Sequence, residues 1–182
     1  TRRSSDLGSG SRLAFARVVL PFMNTSTPTK TIVELDLKDY TERARDLEES
    51  ISVEVVALLN EQIRKFVQAG LDAVKLTREG TVLADTGDGA ILAFDEAEKA
   101  HRFARAVHEA AGKHNASKTV LTAQRWFRIG AATGKVCFTA TKGKTTAAGT
   151  TIANAVRLET AAKPGEFLVD VTTFDALPSA LQ

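Results

Sequence analysis

Apolar residues recur in two rhythms along this chain, and the switches between them outline its elements. From Thr31 to Leu37, a run containing Ile32, Val33, Leu35 and Leu37 has the length of a β-strand. Between Thr41 and about Gln68 the rhythm changes. Leu47, Ile51, Val55, Leu58, Leu59, Ile63, Phe66 and Val67 recur at intervals of three and four, which predicts one long amphipathic helix stopped by Gly70. Val74 to Leu76 reads as a short strand before a turn at Arg78-Glu79-Gly80. Val82 to Asp85 and Ala90 to Phe94 read as a hairpin around Gly87-Asp88-Gly89.

A second helix, from about Asp95 to Ala111, aligns Ala97, Ala100, Phe103, Ala104, Val107 and Ala111 on one face, with Asp95 and Glu96 at its positive end. A polar loop through His114–Ser117 leads to strands at Trp126–Ala132 and Lys135–Thr139, joined across Thr133-Gly134. The loop Thr141–Thr145 precedes a third helix, about Thr150 to Ala162. Pro164-Gly165 ends it, Phe167–Val169 is the last strand, and a short turn follows. The order of elements predicts a single α/β (α+β) domain: a ferredoxin-like βαββαβ core with an appended strand-helix-strand.

Composition changes this picture mainly at the N-terminus. The 182 residues are 43% hydrophobic and 25% charged, ordinary for one soluble domain. The formal net charge of +2 comes from residues 1–30, which hold five basic side chains and one acid; the remainder carries 19 Lys and Arg against 21 Asp and Glu. Residues 1–30 read as a flexible basic segment ahead of the domain at 31–182. Met23, the only methionine, reads as the biological start, with 1–22 upstream or vector-derived; an Arg/Ser-rich targeting segment is the competing reading. The folded part has no basic excess that would suit a nucleic acid. No apolar run reaches membrane-spanning length, since Leu13–Phe22 is interrupted by Arg17 and Pro21. A single cysteine, Cys137, allows no internal disulfide and reads as strand filler; a cytoplasmic setting follows.

The candidate chemistry sits on two carboxylates. Asp36 lies between Leu35 and Leu37, and Asp88 precedes Ala90-Ile91-Leu92-Ala93-Phe94. Charges beside buried strands are costly unless compensated. A shared hard cation such as Mg²⁺, held by one or two carboxylates and substrate phosphates, would compensate them. Turn capping plus a surface ion pair is the competing role.

Four segments together resemble the catalytic domain of class III adenylate/guanylate (nucleotidyl) cyclases: Val33–Thr41, Thr86–Phe94, Arg128–Val136 and Gly149–Val169. The last reads GTTIANAVRLETAAKPGEFLV, close to that family's G-x-x-[VI]-N-x-A-x-R-[LM]-x-x-x-A-x-P-G pattern. The resemblance implies a homodimer with sites across its interface and two Mg²⁺ (or Mn²⁺) ions per site. Asp36 and Asp88 match the metal acids, with Leu37 beside them, and Thr41 is placed on the nucleotide. Arg157 matches the arginine that steadies the transferring phosphate. Thr146, three residues before Gly149, stands at a base-reading position where Asp or Thr accompanies adenine, which implies ATP as the purine nucleoside triphosphate and cyclic AMP as the product.

Three positions depart from the family pattern. Its base-reading lysine is Ala84 here, with Asp85 the neighbouring candidate. Its ribose-orienting asparagine is Ala153, with Asn154 displaced by one residue, about 100° around a helix. Its C-terminal hairpin, bearing a phosphate-binding lysine, finds no counterpart before Gln182, and Lys142 or Lys144 is the substitute. A degenerate domain that binds nucleotide or dimerises without turnover is therefore the alternative. A diguanylate cyclase or polymerase-type palm would want a Gly-Gly-(Asp/Glu)-Glu-Phe turn where Thr86-Gly87-Asp88-Gly89-Ala90 stands. His101 and His108 read as exposed helix residues, and Trp126 and Phe127 as core or dimer contacts.

Overall fold

The computed structural model describes residues 24–141 and 144–182. The expectations for residues 1–22, Met23 and Lys142, and for the Lys144 side chain, lie outside the described residues.

A five-stranded sheet organises the molecule. Its strands are β2 (Thr29–Leu37), β3 (Val82–Asp85), β4 (Gly89–Phe94), β5 (Phe127–Lys135) and β8 (Phe167–Val169), in the spatial order β3-β4-β2-β5-β8. The first four form the antiparallel ferredoxin-like core; β8 joins it parallel to β5. Two long helices, α2 (Val53–Ala73) and α3 (Ala97–Ala116), cover one face. Leu59, Ile63, Phe66, Val67 and Leu71 from α2 meet Phe103, Ala104 and Val107 from α3 over Val33, Leu35 and Leu37 of β2. The opposite face is covered in part by α4 (Thr150–Ala161), whose Ala155 packs with Ile32, Ala93, Ala132 and Val136.

Gly130 sets how closely α4 approaches the sheet. A Cβ at this position would lie 2.2 Å from the Glu159 nitrogen and 2.3 Å from the Ala155 carbonyl oxygen. Those are backbone atoms of α4, so any side chain here would push the helix outward.

Several expectations need correction. The single helix over Thr41–Gln68 is two, α1 (Tyr40–Ser50) and α2, broken where the Ile51 and Ser52 amides both donate to the Leu47 carbonyl and Ser52 turns extended. Apolar spacing runs through this break because α1 packs beside α2 with Leu47 against the same core. Gly70 does not stop α2. It lets Phe103 of α3 approach so closely that a Cβ on residue 70 would lie only 2.6 Å from the ring, and the helix ends at Ala73. Val74–Leu76 is a turn, with Lys75 at φ 57°. His114–Ala116 continue α3, where buried Asn115 bonds both the amide and the carbonyl of Arg125.

The strands beyond Trp126 differ as well. Thr133-Gly134 is no turn: β5 runs through it to Lys135, held against Thr29–Thr31 of β2. The chain then enters β6 (Cys137–Thr141), which pairs with β1 (Asn24–Ser26) and β7 (Lys144–Ala148) in a separate three-stranded sheet. The polar lead-in thus contributes a strand. A short α5 (Val171–Asp175), capped by the Asp170 carboxylate on the Thr173 amide, follows β8. Among the described residues, no helix is long and apolar enough to cross a membrane.

Candidate active site

The C-terminal end of β2 and the turn before β4 meet in one cleft of about 530 Å³. Side-chain alternation on β2 sends Val33, Leu35 and Leu37 into the dry core, and therefore turns Glu34 and Asp36 toward the α4 face. Asp36 lies opposite Gly89 of β4 and Arg128 of β5. Gly87, at φ 88°, makes the turn that delivers Asp88, and the Leu37 amide donates to the Asp88 carbonyl at 3.0 Å. Asp36 and Asp88 consequently line the same cleft, where the Asp88 charge acts on the Asp36 carboxyl.

Four further carboxylates line the same cleft: half-buried Glu34 and buried Glu159, and exposed Asp39 and Glu42 at the rim. Glu159 projects from α4, is 5% exposed, and reaches the site because Gly130 admits the helix. Arg128 is the only cation among the lining residues. Its Nη2 donates to Asp36 Oδ2 at 2.5 Å, and its Nε lies 2.9 Å from Glu159 Oε1 without hydrogen-bond alignment.

The electrostatic consequences follow from Glu34, Asp36, Asp88 and Glu159 gathered around Arg128. Burial raises the Asp36 carboxyl above its ordinary range; the Arg128 hydrogen bond opposes this and the Asp88 charge adds to it. Burial also raises Glu159, against the pull of Arg128. Glu34 is pushed up to about 7, first by burial and then by Glu159, Asp36 and Asp88; its buried Oε2 has no hydrogen-bond partner. The hydrogen bond to Asp36 raises Arg128 further, so it stays charged. This is stored negative charge, and a cation is what it fits.

The donor set tells what kind of cation. Among the described residues, no three His, Cys, Asp or Glu side chains converge to enclose a metal by themselves. The two aspartates are hard oxygen donors on one side of an open cleft. Leu37 borders it through its main chain, its side chain being 1% exposed in the core. Mg²⁺ keeps waters and takes phosphate oxygens around one or two carboxylates, so the residues fit that ion. Asp39, Tyr40, Thr41 and Glu42 line the rim at the start of α1. First-turn amides lack intrahelical partners and suit an anion such as phosphate.

Other sequence candidates lie elsewhere. Arg157 and Asn154 are exposed on α4, joined to each other (Nη1 to Oδ1, 3.2 Å), and do not line the cleft. Thr146 is exposed on β7, its hydroxyl 3.3 Å from the Thr139 carbonyl. Asp85 is held by Arg78 at 2.8 Å and Arg64 at 3.2 Å, and it accepts from the Gly87 amide. His101, whose ring lies 6.0 Å from that of Phe167, and His108 are part-buried, not exposed, and burial lowers the pKa of both. Glu34, Arg128 and Glu159 were not singled out from sequence. Glu34 was legible, because it shares a strand face with Asp36; the other two needed the β2–β5 register and the α4 approach.

The chain matches no family model and no curated protein. Among solved structures it is similar to an adenylate/guanylate cyclase/hydrolase from Silicibacter pomeroyi (23% identity, 82% of this chain and 79% of that one, TM-score 0.60). It is also similar to the guanylyl cyclase domain of the RhoGC fusion protein from the aquatic fungus Blastocladiella emersonii (18%, 83% and 84%, TM-score 0.67). The adenylyl cyclase CyaB from P. aeruginosa is a third (19%, 84% and 81%, TM-score 0.61). At these identities the likeness is one of fold, shared by adenylyl and guanylyl cyclases alike.

Proposed function

We propose that this chain is the catalytic domain of a nucleotidyl cyclase, converting ATP to 3′,5′-cyclic AMP and pyrophosphate. The observation that supports it most is the pairing of Asp36 with Asp88 in an acidic cleft that also holds Arg128 and the start of α1. In this reading the two carboxylates hold divalent metal, Mg²⁺ or Mn²⁺, with the Leu37 main chain beside them. When bound, the metal supplies acidification of the ribose 3′-hydroxyl and neutralisation of triphosphate charge.

The chain's own groups position the substrate. The α1 amides and Thr41 cradle phosphate oxygens at the rim, and Arg128 offers a guanidinium fork to the same oxygens. The 3′-oxygen attacks the α-phosphorus in line and pyrophosphate leaves, so catalysis is mostly positioning and charge stabilisation. Arg157 and Asn154 are exposed and do not line their own cleft, which supports a homodimer in which a second copy supplies them, Arg157 to the transferring phosphate and Asn154 to the ribose. Thr146 reads adenine. Asp85, bound by two arginines, is poorly free to read a base edge.

The test is cyclic nucleotide production from ATP and GTP side by side with Mg²⁺ or Mn²⁺. Asp36→Asn should lower turnover about a thousandfold while the protein stays folded. Full activity in that variant would falsify the metal-site reading. A second reading, a regulatory domain that binds nucleotide without turnover, is favoured by Ala84 and Ala153. It predicts nucleotide binding abolished by Asp36→Asn with no cyclic product from the parent protein.

A further inference from the structure

Arg128 sits where two demands conflict. It is the sole cation among the cleft-lining residues, bonded to Asp36, yet Asp36 is one of the two carboxylates that a divalent metal would take. We propose that the Arg128 guanidinium is a resident counter-ion that metal displaces from Asp36, and that Glu159 is the acceptor onto which it withdraws. The inference rests on the metal-site reading above and adds a positioning role for Glu159.

The geometry shows a fork with one prong engaged. Nη2 donates to Asp36 Oδ2, whereas Nε and Glu159 Oε1 stand 2.9 Å apart with neither atom hydrogen-bonded. Close approach without alignment leaves an acceptor in reach that a small rotation of the guanidinium would complete. Glu159 is 5% exposed, too deeply placed for its charge to be left without Arg128. The arginine is therefore tethered: it leaves Asp36 by turning toward α4, and it stays in the cleft. Its partner strand fixes the other end of the motion, since Arg128 lies directly opposite Asp36 in the β2–β5 ladder.

Without metal, the pair offsets part of the repulsion among Glu34, Asp36, Asp88 and Glu159 and keeps the cleft formed. With metal, the same positive charge becomes a competitor nearby, so the site should bind cations more weakly than its acids alone suggest. Once withdrawn, the freed N–H groups face the cleft and are available to phosphate oxygens.

The experiment titrates Mn²⁺ into the nucleotide-free protein and follows unbound Mn²⁺ by electron paramagnetic resonance. Arg128→Gln should tighten binding about tenfold, as expected for removing a unit charge a few ångström from the ion. In parallel, arginine Nε–H resonances are followed during Mg²⁺ titration; the Arg128 signal is identified by its loss in Arg128→Lys, which retains charge and bulk. It should move in step with metal occupancy in the parent protein and stay still in Glu159→Gln. Unchanged Mn²⁺ affinity in Arg128→Gln, or a stationary Arg128 resonance while metal binds, would overturn the proposal and leave the metal site intact. A parent protein that binds no Mn²⁺ would instead remove the metal-site reading beneath it.

Discussion

On one face of β2, Val33, Leu35 and Leu37 are at most 1% exposed and pack under α2 and α3. On the other face, two residues of the same strand, Glu34 and Asp36, share a cleft with Asp88 and Glu159, and Arg128 is the single basic residue lining it. The backbone is common to both; only side-chain parity separates them. The first face lowers the free energy of the fold by removing apolar surface from water. The second raises it, because carboxylates held together resist ionising. A strand can thus carry the core on one face and stored charge at the end of the other, beyond Ile32, and the first offsets the second.

Three substitutions sharpen the contrast. Leu35→Ala attacks the apolar face and should destabilise the protein by about 3 kcal/mol, within the range for buried Leu truncations; denaturant titration reads it. A loss well under 1 kcal/mol would deny that this face bears the fold. Gly130→Ala attacks the seam between sheet and α4, where the added Cβ would collide with backbone at Glu159 and Ala155. The expected cost is about 2 kcal/mol, as for overpacked sites. Because α4 carries Glu159, metal affinity should change in the same variant; stability and affinity both unaltered would mean that α4 is not held by this contact.

Glu34→Gln is the smallest effect and has the opposite sign. In the folded chain Glu34 holds its proton up to about pH 7, whereas an unperturbed glutamate loses it near 4.5. The folded state binds more protons between these values, so the group's contribution is fully present below about 4.5 and is lost as pH rises through 7. Removing the ionisable group should therefore stabilise the protein at pH 8, on the order of 1–2 kcal/mol given screening by water in the open cleft, and by little at pH 5. Thermal melts across that interval check it, and a destabilised variant at pH 8 would contradict the assignment of stored charge.

The same contrast explains what could be read from letters alone. The hairpin, the paired acids and the helix at Thr150–Ala161 have local signatures: a Gly-Asp-Gly turn, an alternating strand and a helical repeat. The second sheet shows one only in part, where the strand expected at Lys135–Thr139 overlaps β6. Asn24–Ser26 and Lys144–Ala148 are short and polar or mixed, and only pairing with β6 makes them strands. The break at Ile51-Ser52 was hidden because apolar residues continue through it. At the site, sequence motifs found Asp36, Asp88 and the positions around them, but the neighbours that set their charge come from β5 and α4, whose placement is a tertiary fact. Glu34 was missed for another reason: a glutamate inside an apolar run reads as an interruption until its parity with Asp36 is counted.

The link between the Leu37 amide and the Asp88 carbonyl has a broader consequence. Together with the β2–β4 ladder, it makes peptide groups, which every amino acid brings, the caliper for the gap between the two acids. Replacing the surrounding side chains leaves that caliper untouched so long as the ladder keeps its register. Relatives could therefore diverge until hardly any letters agree and still present two carboxylates at the same spacing.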